Sequence, residues 1–199
     1  MTKLYRIIYT IVAPFIHLFF PCRTVGKEKI PEGGVLFCAN HASGWDPIII
    51  ALNLPKDSRL TVMAKDQLFK IPLLGPFLRG LGIIPVNRGG SDLTAIKSSL
   101  KVLSGGNRLL VFPEGTRVEE EGEVAAKGGV TMLAVRTGVP MVPVYCGGKH
   151  KFLRRTTVVF GDPYTPVIAG RKPTPDENRA IAQEIMDRIY DLKEVSAWK

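Results

Sequence analysis

The sequence predicts an α/β fold: a mixed, largely parallel sheet covered by helices on both faces, with an N-terminal membrane-associating helical segment. Three observations predict it. Short apolar runs alternate with longer runs of helical spacing along most of the 199 residues. The runs read as strands are unbroken in hydrophobicity, as strands buried on both faces are. The first 23 residues differ from everything after them, being apolar and flanked only by basic side chains.

In that first stretch Ile7 to Phe20 is a 14-residue apolar run carrying Pro14 and His17, with Lys3, Arg6 and Arg23 around it. A spanning helix needs about 20 apolar residues. No A-x-A-like cleavage site follows, so a signal peptide is not favoured. Residues 1–24 therefore read as a segment lying in or dipping into a membrane face. The alternative is a helix packed on the core. GKEKIPEGG (26–34) reads as a turn-rich joint to the body, residues 25–199.

VLFCA (35–39) is the first expected strand. DPIIIALNL (46–54) opens a helix, with Asp46 as its cap and Pro47 in its first turn. RLTVMA (59–64) and GIIPV (82–86) are further strands. SDLTAIKSSLKVLSGG is a capped helix stopped by Gly105, with Leu93, Ile96, Leu100 and Leu103 at inward spacing. RLLVF (108–112) is a strand, GGVTMLAVRTG (128–138) a helix, and VPMVPVY (139–145) and TTVVFG (156–161) strands. From Pro175 to Lys199 a last helix is expected, with Ile181, Ile185, Ile189 and Leu192 facing in.

Composition narrows the partners. There are 27 basic and 18 acidic side chains, a net charge of +9. That favours anionic partners: phosphates, anionic lipid or nucleic acid. Cys22, Cys38 and Cys146 are odd in number and form no C-x-x-C, which argues against a disulfide framework or a zinc site. His17, His41 and His150 show no ligand-like spacing either, so no metal is expected. Neither G-x-x-x-x-G-K-[ST] nor G-x-G-x-x-G occurs, which disfavours nucleotide hydrolysis and a dinucleotide cofactor. GGKHKFLRR (147–155) is a basic loop suited to anionic head groups or simply to solvent. With Phe152 as its one aromatic, it does not make a nucleic-acid module.

The chemistry gathers at strand ends. Strand 35–39 stops at Asn40-His41, and the next helix starts at Asp46. On one continuous helix His41 and Asp46 would lie about 140° apart. A turn through Ser43 and Gly44 brings them back together. A carboxylate beside one imidazole nitrogen fixes the tautomer and leaves the other nitrogen as a base for an alcohol. Separately, Asp46 is a plain cap and His41 a polar residue at a strand end. Ser43 lacks a G-x-S-x-G elbow and is read as a turn residue. FPEGTR (112–117) also follows a strand: Gly115 allows close backbone approach, Arg117 offers a planar fork for phosphate, and Glu114 orders that arginine or meets a substrate hydroxyl. Arg88 follows strand 82–86, and Lys127 precedes a helix whose N-terminus favours an anion.

NHASGWD, GIIPVNR, FPEGTR and VPMVPVY stand in that order. The set resembles the glycerolipid acyltransferase family, in particular its 1-acylglycerol-3-phosphate (lysophosphatidate) acyltransferases, over about Val25 to Asp162. An N-H-x-x-x-x-D followed at this distance by F-P-E-G-T-R carries the resemblance. It implies transfer of a fatty acyl group from a thioester to the sn-2 hydroxyl of a lysophospholipid, giving phosphatidate in phospholipid biosynthesis. His41 would be the base and Asp46 its partner. Arg88, Glu114, Gly115 and Arg117 would hold the glycerol phosphate, with Lys127 nearby. VPMVPVY would shape the acyl side. The implied co-substrate is an acyl-CoA or acyl carrier protein thioester, with no cofactor. The implied setting is the cytoplasmic face of a membrane. Alternatives are another lysophospholipid acceptor, a non-catalytic membrane-binding protein of the same fold, and an α/β lipid hydrolase, which the missing elbow disfavours.

Overall fold

The computed structural model describes residues 3–55, 58–87, 92–147, 150, 152–170 and 172–196. Arg88, a candidate anion ligand, lies outside the described residues, as do Gly148, Lys149 and Lys151 of the basic loop.

The chain runs α1 (Lys3–Phe19), β1 (Cys22–Val25), β2 (Val35–Ala39), α2 (Asp46–Asn53), β3 (Leu60–Lys65), α3 (Leu74–Leu81), β4 (Ile84–Val86), α4 (Leu93–Ser104), β5 (Arg108–Val111), α5 (Gly129–Thr137), β6 (Met141–Cys146), β7 (Thr156–Phe160), α6 (Pro175–Asp191) and α7 (Lys193–Ser196). The strands form one sheet in the order β1-β7-β6-β2-β5-β3-β4. Every neighbouring pair is parallel except β6 and β7. The expected mixed, largely parallel sheet is present.

Every residue of β2, β6 and β7 is buried. The unbroken apolar runs of β2 and β6 follow from cover on both faces, and β7 adds the buried Thr156 and Thr157. On one face Leu36, Cys38, Leu109 and Met141 pack with α4, α5 and α6 through Leu103, Leu133 and Ile185. On the other, Phe37, Leu110, Val142 and Phe160 pack with Ile49 and Ile50 of α2. Burying such a side chain is worth about 1.5–3 kcal/mol. Cys38 and Cys146 are wholly buried here and act as small core residues. Thr174 and Glu177 make a reciprocal capping box that starts α6, and Ile181, Ile185 and Ile189 face in as expected.

The structure departs from the sequence expectation in several places. Strand β1 pairs with β7 from Cys22, so the boundary drawn between 24 and 25 passes through a strand of the sheet. The helix at 74–81 was hidden by Gly75, Pro76 and Gly80. Gly75 packs so closely that an added Cβ would stand 2.1 Å from the Phe69 carbonyl oxygen. Helix α4 buries Ala95, Ser99 and Leu103, whereas Leu93 is 65% exposed. Small residues on that face let the helix sit close to its neighbours.

Helix α1 lies on α2 and α3 with one face. Tyr9 donates to the Leu52 carbonyl at 3.1 Å, and Ala13 is buried. The other face exposes Ile7, Ile11, Phe15 and Leu18, an apolar stripe at helical spacing. Among the described residues, no helix is long and apolar enough to cross a membrane.

Candidate active site

Strands β5, β2 and β6 are adjacent and parallel, so their C-terminal ends reach one edge of the sheet. Sites in open α/β sheets form at such edges. His41 follows β2, Phe112 to Arg117 follow β5, and Cys146 ends β6 just before the loop that carries His150. The Asn40 side chain latches two of these ends together. It accepts from the Cys146 amide at 2.7 Å and donates to the Cys146 carbonyl at 3.1 Å.

His41 and Asp46 meet as the turn chemistry predicts. Nδ1 of His41 stands 3.0 Å from Oδ2 of Asp46. The same oxygen accepts from the amides of Ala42 at 2.9 Å and Ser43 at 2.7 Å. Asp46 therefore does not cap α2. The cap position belongs to Trp45, which makes no side-chain cap bond, and the carboxylate folds back into the turn instead. Ser43 serves the turn, its hydroxyl accepting from the Trp45 amide at 3.3 Å. Burial alone would raise the Asp46 pKa. The hydrogen bonds from His150, His41 and Ser43 outweigh it and hold the carboxyl below its ordinary value.

The imidazole is held on other sides too. The Phe112 ring stacks on it with centroids 4.0 Å apart. The His41 amide donates to Oε2 of Glu114 at 2.8 Å, and its carbonyl accepts from the Val118 amide at 2.9 Å. Oε1 of Glu114 accepts from the Tyr190 hydroxyl at 2.5 Å. Glu114 is 1% exposed, with both oxygens engaged inside the protein. It braces the backbone of His41 against α6 rather than ordering Arg117 or facing a substrate hydroxyl. Burial pushes its carboxyl pKa up, and the bonds from Tyr190 and His41 only partly offset that.

Gly115, in the turn after β5, has φ +70°. The Lys127 side chain lies over it, so close that an added Cβ would stand 2.6 Å from Lys127 Nζ. The Lys127 amide donates to the Pro113 carbonyl at 2.8 Å, tying the two segments together. Arg117 and Lys127 are both exposed. Beside Lys127 is a cavity of about 330 Å³, lined mainly by apolar side chains such as Met63, Leu110, Val130 and Leu133. Asn87, Asp92, Gly115 and Lys127 also border it. Phe112 belongs to both places, lining the cavity and stacking on His41.

One residue at this edge was not expected from the sequence. His150, read as part of a solvated or lipid-facing loop, has a fully buried side chain with Nε2 2.7 Å from Oδ1 of Asp46. Cys146 Sγ lies 3.5 Å from the same nitrogen. Asp46, Cys146 and His150 thus bring three ligand-type atoms within 4.8 Å of one another. At 2.7 Å, Nε2 of His150 and Oδ1 of Asp46 are at hydrogen-bonding distance. No local signal links positions 46 and 150.

A family model described as Acyltransferase matches residues 22–147. The chain is 29% identical over 178 residues to the 1-acyl-sn-glycerol-3-phosphate acyltransferase of Bacillus subtilis (strain 168), covering 86% of this chain and 87% of that one. It is 29% identical over 176 residues to the 1-acyl-sn-glycerol-3-phosphate acyltransferase of Streptococcus pneumoniae (strain ATCC BAA-255 / R6), covering 84% of this chain and 64% of that one. Among solved structures, the 1-acyl-sn-glycerophosphate (LPA) acyltransferase PlsC from Thermotoga maritima shares the fold, with a TM-score of 0.73 at 24% identity over 99% of this chain and 80% of that one.

Proposed function

The chain belongs to the acyltransferase family, and from that premise we propose that it moves a fatty acyl group from an acyl thioester to the sn-2 hydroxyl of 1-acylglycerol-3-phosphate, giving phosphatidate. The observation that carries this reading is the 3.0 Å contact between His41 Nδ1 and Asp46 Oδ2 beside an apolar cavity with Lys127 at its rim. With Nδ1–H donated to Asp46, Nε2 keeps the lone pair. It accepts the proton of the lyso-lipid hydroxyl as that oxygen attacks the thioester carbonyl. Asp46 and the face of Phe112 support the imidazolium that forms. Collapse of the tetrahedral intermediate expels the thiolate, which takes the proton back from His41. The reaction needs only the thioester as co-substrate, acyl-CoA or acyl carrier protein. General-base help of this kind is worth about 10²–10⁴-fold.

The amides of Ala42, Ser43, Trp45 and Asp46 are all engaged within the turn or by Asp46. Among the described residues, the Gly44 amide is the remaining donor in this turn for the oxyanion. Arg117 and Lys127 receive the phosphate; Arg88, the third cation expected there, lies outside the described residues. The cavity takes an acyl chain; its volume falls within the roughly 300–1,000 Å³ usual for ligand sites. The exposed stripe of α1 and the net charge of +9 suit an anionic membrane surface at the cytoplasmic face, where the substrate lies. Replacing Ile11, Phe15 and Leu18 by Gln then releases the protein from anionic vesicles; continued binding would put the anchor elsewhere.

Product analysis tests the reaction. The protein is incubated with palmitoyl-CoA and either 1-oleoylglycerol-3-phosphate or 1-oleoylglycerol, and the lipids are resolved by mass. The expected product is phosphatidate with the new chain at sn-2, and little acylation of the neutral acceptor. Equal use of both acceptors would contradict the phosphate-gripping role, and hydrolysis to free fatty acid without transfer would contradict the acyltransferase.

A further inference from the structure

We propose that His150 is a second positioning residue for Asp46, donating from Nε2 to the oxygen that His41 does not use and so locking the carboxylate in the orientation that steers the base. This rests on the reading of His41 and Asp46 given above. Oδ2 of Asp46 receives His41 and two backbone amides, while Oδ1 receives His150 at 2.7 Å. Asp46 is fully buried, so without His150 that oxygen would face an environment with no water to replace the bond. A carboxylate with one unpartnered oxygen gains by rotating, and rotation would take Oδ2 away from His41. The contact with His150 removes that alternative.

The ring itself indicates the same role. Its Nδ1 is buried and has no partner among the described residues. A buried polar atom left unpaired is costly, so the ring is retained for its other nitrogen. An unpaired lone pair is the milder orphan compared with an unpaired N–H, which makes Nε2 the protonated nitrogen and therefore the donor to Asp46.

The loop is fastened so that the ring stays in place. The Leu153 amide donates to the Phe19 carbonyl at 2.7 Å. Phe152 stacks on Phe19 at 5.2 Å and meets Phe20 edge-on at 6.5 Å. Phe20 in turn contacts Trp45, the residue before Asp46, at 5.3 Å. Leu153 holds a left-handed φ of 59°, a strained conformation that persists only when its surroundings impose it.

Among the described residues, the titratable groups around the ring are Asp46 from α2 and Cys146 from β6, with His41 beyond Asp46, Glu114 and Tyr190 behind His41, and Cys22 of β1 acting on Cys146. Removing the donor makes the His41–Asp46 pair hold a proton more tightly. The acid limb of the rate profile therefore moves to higher pH.

The test compares His150→Leu, His150→Gln and His41→Ala by thiol release from palmitoyl-CoA with 1-oleoylglycerol-3-phosphate, with melting curves as a folding check. His150→Leu is expected to lower kcat about 10–100-fold with little change in either KM, and to raise the pH of the acid limb. His150→Gln, which can place an amide N–H where Nε2 stands, restores most of the rate and the limb. If His150→Leu does not fold, His150→Asn replaces it: its donor falls short, and activity equal to His150→Gln would overturn the proposal. A folded His150→Leu with normal kcat and an unmoved limb would overturn it, as would a Gln variant no better than Leu. Those outcomes with His41→Ala inactive reject the role of His150 alone. An active His41→Ala rejects the base on which it rests.

Discussion

The two ends of the candidate site are built in opposite ways. At the proton end, His41, Asp46, Glu114 and His150 are buried and bonded to one another or to backbone amides. At the anion end, Arg117 and Lys127 stand exposed around a turn that Gly115 makes possible. On the proposed reading, the difference follows from what each end does. A base has to be aimed before substrate arrives, and aiming needs fixed partners in a water-poor setting. A phosphate brings its own charge, so the cations that meet it are left for the ligand to complete.

That contrast sets the order of expected effects. The largest belongs to Asp46→Asn, which keeps the shape but loses the charge and reverses one hydrogen bond. It should lower kcat by about 10²–10⁴-fold at a near-normal KM for lysophosphatidate. A rise in KM with kcat preserved would mean that the proton end also binds the head group. Next is Arg117→Ala. Loss of a charge-assisted bond to phosphate should raise KM for lysophosphatidate about 10–100-fold and leave turnover of a neutral acceptor unchanged. An equal loss on both acceptors would make Arg117 part of the proton end.

Smaller again is Gly115→Ala. It forces a side chain into the left-handed region, at about 1–2 kcal/mol, and pushes the end of Lys127 aside. We expect a melting temperature a few degrees lower and a several-fold higher KM. An unchanged KM would remove Lys127 from the phosphate site. The smallest effect is on stability against pH. The Asp46 pKa is lowered, so its contribution is complete above about pH 4 and is lost as pH falls below that. The Glu114 pKa is raised, so the opposite holds: stability falls as pH rises from about 4.3 toward its folded pKa. Denaturation across pH should thus be flattened on the acid side by Asp46→Asn and above pH 4.3 by Glu114→Gln. The same sign in both variants would contradict the assigned environments.

The sequence was most legible where partners are close in the chain. His41 and Asp46 are five residues apart, and the turn residues between them announce the contact. The strands with unbroken apolar runs were legible for the same reason. What was not legible depends on sheet order. His150 reaches Asp46 across 104 residues because β6 lies beside β2, and nothing local in either segment specifies that neighbour. Glu114 stood where expected, but its role was set by Tyr190, 76 residues on. Strand β1 is short, polar and at the sheet edge, so its pattern resembled a connector. In α4 the spacing of Leu93, Ile96, Leu100 and Leu103 identified the helix, yet the buried face was turned toward Ala95 and Ser99 because close packing there favours small side chains.

The most direct measurement is single-turnover acyl transfer from palmitoyl-CoA to 1-oleoylglycerol-3-phosphate by the wild type and His41→Ala at equal folded concentration. If the imidazole takes the proton from the lipid hydroxyl, the chemical step slows by at least about a hundredfold in the variant while substrate binding persists. Transfer at the wild-type rate would show that another group removes that proton and that the buried cluster around Asp46 serves only the fold.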